Sequence, residues 1–97
     1  MATFKVDKNR LVCSFPEQMT TEACLECEEA LYAKADSAGM PVVFDMTGVE
    51  YIASRFISMC IRVVKKSGKE NFSLANVHPN VKKVLKIARL DDVLDIT

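Results

Sequence analysis

The spacing of apolar residues along this 97-residue chain changes several times, and each spacing predicts a different element. Apolar side chains alternate with other residues in segments 4–6 and 10–15, which is the period of a β-strand. Residues 7–9 between these segments read Asp-Lys-Asn, a typical turn sequence. The start of the chain therefore predicts an antiparallel hairpin.

Two segments with a 3.6-residue apolar period predict the first two helices. The first helix is expected to begin at Thr20 or Thr21, whose hydroxyl can cap it, and to end near Ala35, before a left-handed Gly39. The second is expected over residues 54–66 and carries two apolar stripes. The stripe expected to be buried comprises Ile57, Cys60, Ile61 and Val64. The neighbouring stripe, which suits either the core or a docking surface, comprises Phe56, Met59 and Val63.

Short β-branched segments between the helices predict the remaining strands. Residues 42–46 are mostly apolar, so we expect a strand that is covered on both faces. Residues 71–75 predict another strand, and His78 followed by Pro79 starts a third helix. With a short last strand, the order is β-β-α-β-α-β-α-β. It predicts one α/β domain over residues 1–97, with a mixed, mostly parallel sheet, one antiparallel N-terminal strand and three main helices packed on it.

Charge and hydropathy narrow the functional classes. The chain has 13 basic and 13 acidic side chains and no net charge, whereas nucleic-acid binding needs a basic surplus. No apolar run reaches the roughly 20 residues that span a bilayer, and the first residues lack the pattern of a signal peptide. We therefore expect a cytoplasmic protein, a monomer or weak dimer, without nucleic-acid binding or membrane insertion.

Residues that could carry chemistry are sparse. Cys24 and Cys27 have the spacing of metal-binding or redox pairs, but a zinc site needs two further ligands. Both lie inside the first predicted helix, where thiols behave as small apolar side chains, so we favour packing in the core. His78 is the only histidine, and the chain lacks nucleotide-binding and hydrolase motifs. We therefore expect a non-enzymatic protein with no metal and no cofactor.

Ser54 begins the second predicted helix at the carboxyl edge of the sheet, where functional groups gather in such folds. Its hydroxyl can cap the helix by accepting a hydrogen bond from a backbone N–H. The same helix N-terminus can accommodate a phosphate, and phosphorylation would add about −1.5 to −2 charges there. The residues alone leave both a structural cap and a chemical switch open.

The order and spacing of several motifs resemble the STAS domain, the family of anti-sigma-factor antagonists. That family has a strand ending in Asp-x-[Ser/Thr] and an Asp-Ser pair at a helix start. The matching residues here are Asp45-Met46-Thr47, Val49, Tyr51, Ile52, Ala53-Ser54, Phe72–Val77, Pro79, Val81, Val84, Leu85 and Leu90–Leu94. The sequence departs from the family at Ala53, where Asp is usual, and at Arg55 and Phe56, where Ser-Gly is common.

The resemblance implies a STAS-like fold and a regulator that binds a serine kinase, which also acts as the anti-sigma factor. A PP2C-type phosphatase restores the unmodified form. Ser54 is the implied phosphorylation site, and Ser58, one helical turn on, is a second candidate. The expected partner-binding residues are Met19, Thr20, Asp45, Ala53, Arg55, Phe56 and Met59. The alternative is a STAS subunit or scaffold of a larger signalling or lipid-transport complex, without a phosphorylation switch.

Overall fold

In the computed structural model, which describes residues 1–97, seven strands alternate with three helices. The strands are β1 (Thr3–Asp7), β2 (Arg10–Ser14), β3 (Gln18–Met19), β4 (Val42–Asp45), β5 (Tyr51–Ile52), β6 (Phe72–Ala75) and β7 (Asp95–Ile96). The helices are α1 (Thr21–Ala38), α2 (Ser54–Ser67) and α3 (Pro79–Ile87), with 3-10 turns at Lys69–Asn71 and Leu90–Asp92. The predicted order is confirmed, and the sequence reasoning missed only the short strands β3 and β5.

Five strands form the main sheet in the order β1-β2-β4-β6-β7. β1 pairs antiparallel with β2, and all other neighbours in this sheet pair in parallel. The hairpin between β1 and β2 turns at Lys8 and Asn9, which have φ values of 52° and 64°. Two positive φ values in succession are typical of the tight turns that suit twisted hairpins. The predicted fold class is therefore confirmed.

β3 and β5 form a second, two-stranded parallel sheet. At its two ends, the Glu50 N–H donates to the Glu17 carbonyl and the Ala53 N–H donates to the Met19 carbonyl, each at 2.9 Å. Strands of two residues are too short for a period in the sequence to reveal them. This small sheet ties the loop before α1 to the segment that leads into α2.

All three helices pack on the same face of the main sheet. Their buried side chains belong to one cluster with strand residues of that face, among them Leu11, Cys13, Phe44 and Leu74. Val43 points to the other face and lies outside this cluster, beside its partners Val12 and Ser73 in the adjacent strands. The strand is thus buried on both faces, as expected, although the helices cover only one of them. Val43 is buried beside its neighbours within the sheet and is not part of the cluster beneath the helices.

Four phenylalanines occupy the centre of the core. The Phe15 and Phe44 rings lie with their centroids 4.9 Å apart, and Phe72 meets Phe44 at 4.7 Å. Phe56 of α2 approaches Phe15 at 5.3 Å with the ring planes nearly perpendicular. Edge-to-face contacts of this kind add to the stabilisation from burial alone. The position of α2 on the sheet is therefore set largely by Phe56.

The helix ends follow the predicted pattern at three places. The Thr20 hydroxyl accepts a hydrogen bond from the Ala23 N–H at 3.1 Å and caps α1. Gly39 ends the same helix with a φ of 61°, the left-handed conformation that favours glycine. The Nδ1 atom of His78 accepts from the Asn80 N–H at 3.1 Å, so this histidine caps α3.

α2 buries the whole second stripe and only part of the stripe expected to be buried, of which Cys60 is in the core and Ile57 and Val64 are partly buried against it. Its buried residues are Phe56, Met59, Cys60 and Val63. Ile61, assigned to the buried face by its spacing, is instead 36% exposed. The apolar arc of this helix is so wide that two adjacent stripes fit the same period, and the period does not choose between them. In the structure the Phe56 ring packs beside Phe15 and Phe44, which places its stripe towards the core.

Candidate functional site

Ser54 is the first residue of α2, and its side chain is exposed. The N-cap of the helix is Ala53, in extended conformation with φ −87° and ψ 167°, and no side chain caps this end. The expectation that the Ser54 hydroxyl caps α2 is therefore wrong, because a capping side chain belongs to the residue before the first helical one. The first turn of α2 thus presents an exposed hydroxyl beside backbone N–H groups that no side chain satisfies.

Asp45 lies at the end of β4, and its carboxylate holds the loop that follows. Its Oδ1 atom accepts hydrogen bonds from the Thr47 N–H at 3.1 Å, the Thr47 hydroxyl at 2.6 Å and the Asn76 side-chain amide at 3.0 Å. The hydrogen bonds from Thr47 and then Asn76 hold the pKa of Asp45 below its usual value. Asn76 follows β6, so this carboxylate joins the ends of two adjacent parallel strands.

Arg55 turns from the start of α2 towards α1. Its Nε atom donates to Oε2 of Glu28 at 3.0 Å, and its Nη2 atom donates to Oε1 of the same carboxylate. The forked hydrogen bond from Arg55 lowers the pKa of Glu28, and the carboxylate raises the pKa of Arg55. The pair fixes the first turn of α2 against α1, so the guanidinium next to Ser54 is already engaged.

Ser58 lies one helical turn after Ser54 on the same exposed side of α2. Its hydroxyl donates to the Ser54 carbonyl at 3.4 Å. This is the back-bonding that serine commonly adopts inside a helix. Because the Ser58 hydroxyl sits inside the helix rather than at its end, it lacks the free N–H groups that accompany Ser54.

Several residues expected to bind a partner lie in the core instead. Met19, Phe56 and Met59 are fully buried, and Ala53 is nearly so. A partner cannot reach these side chains in the folded protein, so their assignment to the partner surface is corrected. The family resemblance implies partner contact for Met19 and Phe56, and the wide apolar arc of α2 allows it for Phe56. Neither signal reports the orientation of a side chain. The remaining expected partner residues, Thr20, Asp45 and Arg55, are exposed or half-buried.

The sequence reasoning missed three residues that organise this edge of the sheet. Glu28 has no motif around it, yet it pairs with Arg55 across 27 positions of sequence. Thr47 and Asn76 both donate to Asp45. A usable signal existed for Asn76, because it follows a parallel strand next to the one that ends in Asp45. No comparable signal identifies Glu28.

The four thiols confirm the packing role assigned to Cys24 and Cys27. All four cysteines are buried and free, and the Cys27 thiol donates to the Cys24 carbonyl at 3.6 Å. Burial raises the pKa of Cys24 to about 11 and that of Cys13 to about 12.

No three histidine, cysteine, aspartate or glutamate side chains are grouped to hold a metal ion. None of the helices has the length and apolar character needed to cross a bilayer.

Comparison with known proteins identifies the class. The model of the STAS domain family matches residues 2–97, so this chain belongs to the STAS domain family. Curated protein sequences gave no match. The structure is similar to an anti-sigma-factor antagonist (STAS) domain protein from Planctomyces limnophilus, with 25% identity, a TM-score of 0.88, and coverage of 98% of this chain and 87% of that one.

The fold is also shared with more distant proteins. The anti-sigma factor antagonist SpoIIAA in its unphosphorylated form is 12% identical, with a TM-score of 0.82 and coverage of 100% of this chain and 88% of that one. The phosphorylated form of SpoIIAA, a Bacillus cell fate determinant, is 10% identical, with a TM-score of 0.73 and coverage of 100% and 91%.

Proposed function

We propose that this chain is an anti-sigma factor antagonist that binds a serine kinase acting as the anti-sigma factor, and that phosphorylation of Ser54 switches this binding off. The observation that carries the proposal is the exposed Ser54 hydroxyl at an N-terminus of α2 that no side chain caps. Free N–H groups and the helix dipole favour a phosphate at that position. The structural similarity to anti-sigma factor antagonists, including both forms of SpoIIAA, supports the same role.

The chemistry of the switch is simple. The kinase transfers the terminal phosphoryl group of ATP to Ser54 Oγ, which loses its proton, and ADP leaves. A PP2C-type phosphatase reverses the change by hydrolysis. The phosphate adds about −1.5 to −2 charges at neutral pH to a helix whose charged side chains are all basic. A partner that binds the unmodified surface through shape and apolar contact then meets a hydrated anion at the centre of its contact.

We infer a regulator rather than an enzyme, acting in the cytoplasm. The one histidine, His78, serves as a helix cap, which supports this inference. Burial raises the pKa values of all four thiols, which makes them poor nucleophiles. Asp45 is held in its charged form by three hydrogen bonds and suits a positioning role better than proton transfer.

Phosphosite mapping tests the proposal. The protein is purified from the cells that naturally produce it, and its intact mass is measured before and after treatment with a PP2C-type phosphatase. We expect one phosphate on the natural protein, its removal by the phosphatase, and its loss in Ser54→Ala. Ser58→Ala is the matched control because it removes a second exposed hydroxyl on the same helix, and it should keep the phosphate. A phosphate that persists in Ser54→Ala contradicts the proposal.

A second candidate function is a STAS subunit or scaffold that works without phosphorylation. The two residues after Ser54 favour it because both are large and held in place within the chain. Arg55 is engaged by Glu28, and Phe56 lies in the core. The scaffold predicts that Ser54→Ala and Ser54→Asp co-purify with the partner equally well. The switch predicts that only Ser54→Ala retains the partner, so one co-purification experiment separates the two functions.

A further inference from the structure

The net charge of zero conceals an uneven distribution of charge among the helices. α1 carries five acidic side chains and one basic one, whereas α3 carries three lysines and no acidic residue. The two ion pairs of the molecule, Arg55–Glu28 and Lys66–Asp36, both join α1 to α2. The outer glutamates of α1 and the lysines of α3 therefore have no ionic partner within the chain.

The outer side of α1 combines these glutamates with an exposed apolar side chain. We call this surface the acidic crest, and it comprises Glu22, Leu25, Glu26 and Glu29. Leu25 is 53% exposed and lies one helical turn from both Glu22 and Glu29. An apolar centre with a charged rim is the usual anatomy of a protein–protein contact.

The outer side of α3 has the opposite charge and a similar arrangement. We call it the basic crest, and it comprises Lys83, Val84, Lys86 and Ile87. Val84 is 39% exposed and Ile87 is 80% exposed. The helix already buries Val81 and Leu85 in the core, so the fold does not require these outer apolar side chains. Lys83 and Ile87 are four residues apart and share one side of the helix.

The two crests cannot meet within one chain. α1 crosses from β2 to β4, and α3 crosses from β6 to β7, so the helices sit towards opposite ends of a layer that contains α2 between them. A second copy has no such restriction. From this complementarity we propose that the acidic crest of one chain docks on the basic crest of a second copy. The Leu25 side chain then lies against Val84 and Ile87, with glutamates opposite lysines.

The expected contact is weak and depends on salt. One helix against another buries far less than the roughly 1,200 Å² of a stable interface. Exposed charges are screened over about 10 Å at 0.1 M salt, so the ionic part of the contact fades as salt is added. Lys86 lines a depression together with Asp91 and Asp95, so acidic side chains of the same chain already lie near it. Lys83 lies outside this depression, so reversing the charge of Lys83 should have the larger effect of the two lysines. Because the contact joins two different surfaces, it can repeat from chain to chain.

Analytical ultracentrifugation tests the association directly. At concentrations up to about 1 mM, where even a millimolar contact is half populated, the average mass should rise above that of one chain. Raising the salt from about 0.05 M to about 0.5 M should return it towards one chain, because the Debye length shortens severalfold. A protein that keeps the mass of a single chain throughout overturns the proposal.

A charge exchange identifies the surfaces. Glu22→Lys/Glu29→Lys makes both crests basic, and Lys83→Glu/Lys86→Glu makes both acidic, so each variant alone should stay a single chain. Mixing the two variants restores opposite charges, and association should return. Failure of the mixture to associate overturns the proposal. Circular dichroism checks that both variants fold.

Lys69→Glu, at an exposed site outside both crests, is the matched control and should associate as the natural protein does. Equal loss in this control means that overall charge drives association, which overturns the proposal. Vesicles containing phosphatidylglycerol test a different occupant. If the chain alone stays single but the vesicles bind it through Lys83 and Lys86, the basic crest belongs to an anionic lipid surface and the second copy is wrong.

Discussion

Replacing Phe56 tests which stripe of α2 faces the core. The Phe56 ring is fully buried and lies 5.3 Å from Phe15 and 5.8 Å from Phe44, measured between ring centroids. Truncating a buried phenylalanine to alanine lowers the free energy of unfolding by about 3–5 kcal/mol. Domains of this size are stable by only about 5–15 kcal/mol. We therefore expect Phe56→Ala to lose a large share of the total stability.

Urea unfolding followed by circular dichroism measures this loss. With a slope of about 2 kcal/mol per molar urea, a loss of about 4 kcal/mol moves the midpoint down by about 2 M. If Phe56→Ala does not fold at all, Phe56→Leu provides a milder change in the same place, because it keeps much of the buried volume. Ile61→Ala is the matched control on the same helix, since Ile61 is 36% exposed and should lose far less.

Equal losses at the two positions, or a larger loss at Ile61, would show that Phe56 is not the residue of α2 that faces the core. A loss below about 1 kcal/mol for Phe56→Ala would be typical of a surface substitution rather than of a buried ring. It would return Phe56 to the partner surface, where the family resemblance places it. A large loss for Ile61→Ala would mean that α2 is rotated about its axis relative to the structure described above.

Four further predictions concern polar and ionisable groups. Asp45→Ala should lower the free energy of unfolding by about 0.5–1.5 kcal/mol because the exposed donors of Thr47 and Asn76 lose their acceptor and turn to water, as measured by urea unfolding at pH 7. Since hydrogen bonds lower the pKa of Asp45, its carboxylate stabilises the fold above its unfolded pKa, and the difference from Asp45→Asn should shrink as the pH falls below about 4. Burial raises the pKa of Cys24 to about 11, so iodoacetamide at pH 8 should modify the thiols slowly in the native protein and all four in urea, as counted by intact mass. Arg55→Ala should cost only little stability, because its pair with Glu28 lies near the surface, and the loss should diminish in high salt.

The architecture was largely predictable because long elements carry repeated signals. The alternation in β2, the 3.6-residue period along the 18 residues of α1 and the capping residues Thr20 and His78 each report local structure that depends on nearby residues. The parallel arrangement followed from the order of strands and helices and from the rule that crossovers are right-handed. The predictions of these features are confirmed because no contact with a distant segment overrides the local pattern.

The candidate site was less predictable because its geometry depends on contacts between distant segments. β3 and β5 are two residues long, and they exist only because the chain before α1 lies beside the chain before α2. Glu28 and Arg55 meet across 27 positions, and neither residue type indicates a partner at that distance. Burial of Phe56 and Met59 likewise follows from how α2 is rotated on the sheet, which the period of an apolar helix does not specify. Burial of Met19 follows from the pairing of β3 with β5.

The two residues after Ser54 decide how a phosphate there would act. Phe56 anchors α2 in the core, and Arg55 ties the same turn to α1 through Glu28. Both contacts oppose a movement of the helix start, so a phosphate on Ser54 changes the charge at a fixed place on the surface. To pair with that phosphate, Arg55 would have to leave Glu28, and the exchange of one anion for another gains little. If Ser54 is the proposed switch, release of a partner then comes from repulsion and desolvation at the contact surface, rather than from a change in the fold of this chain.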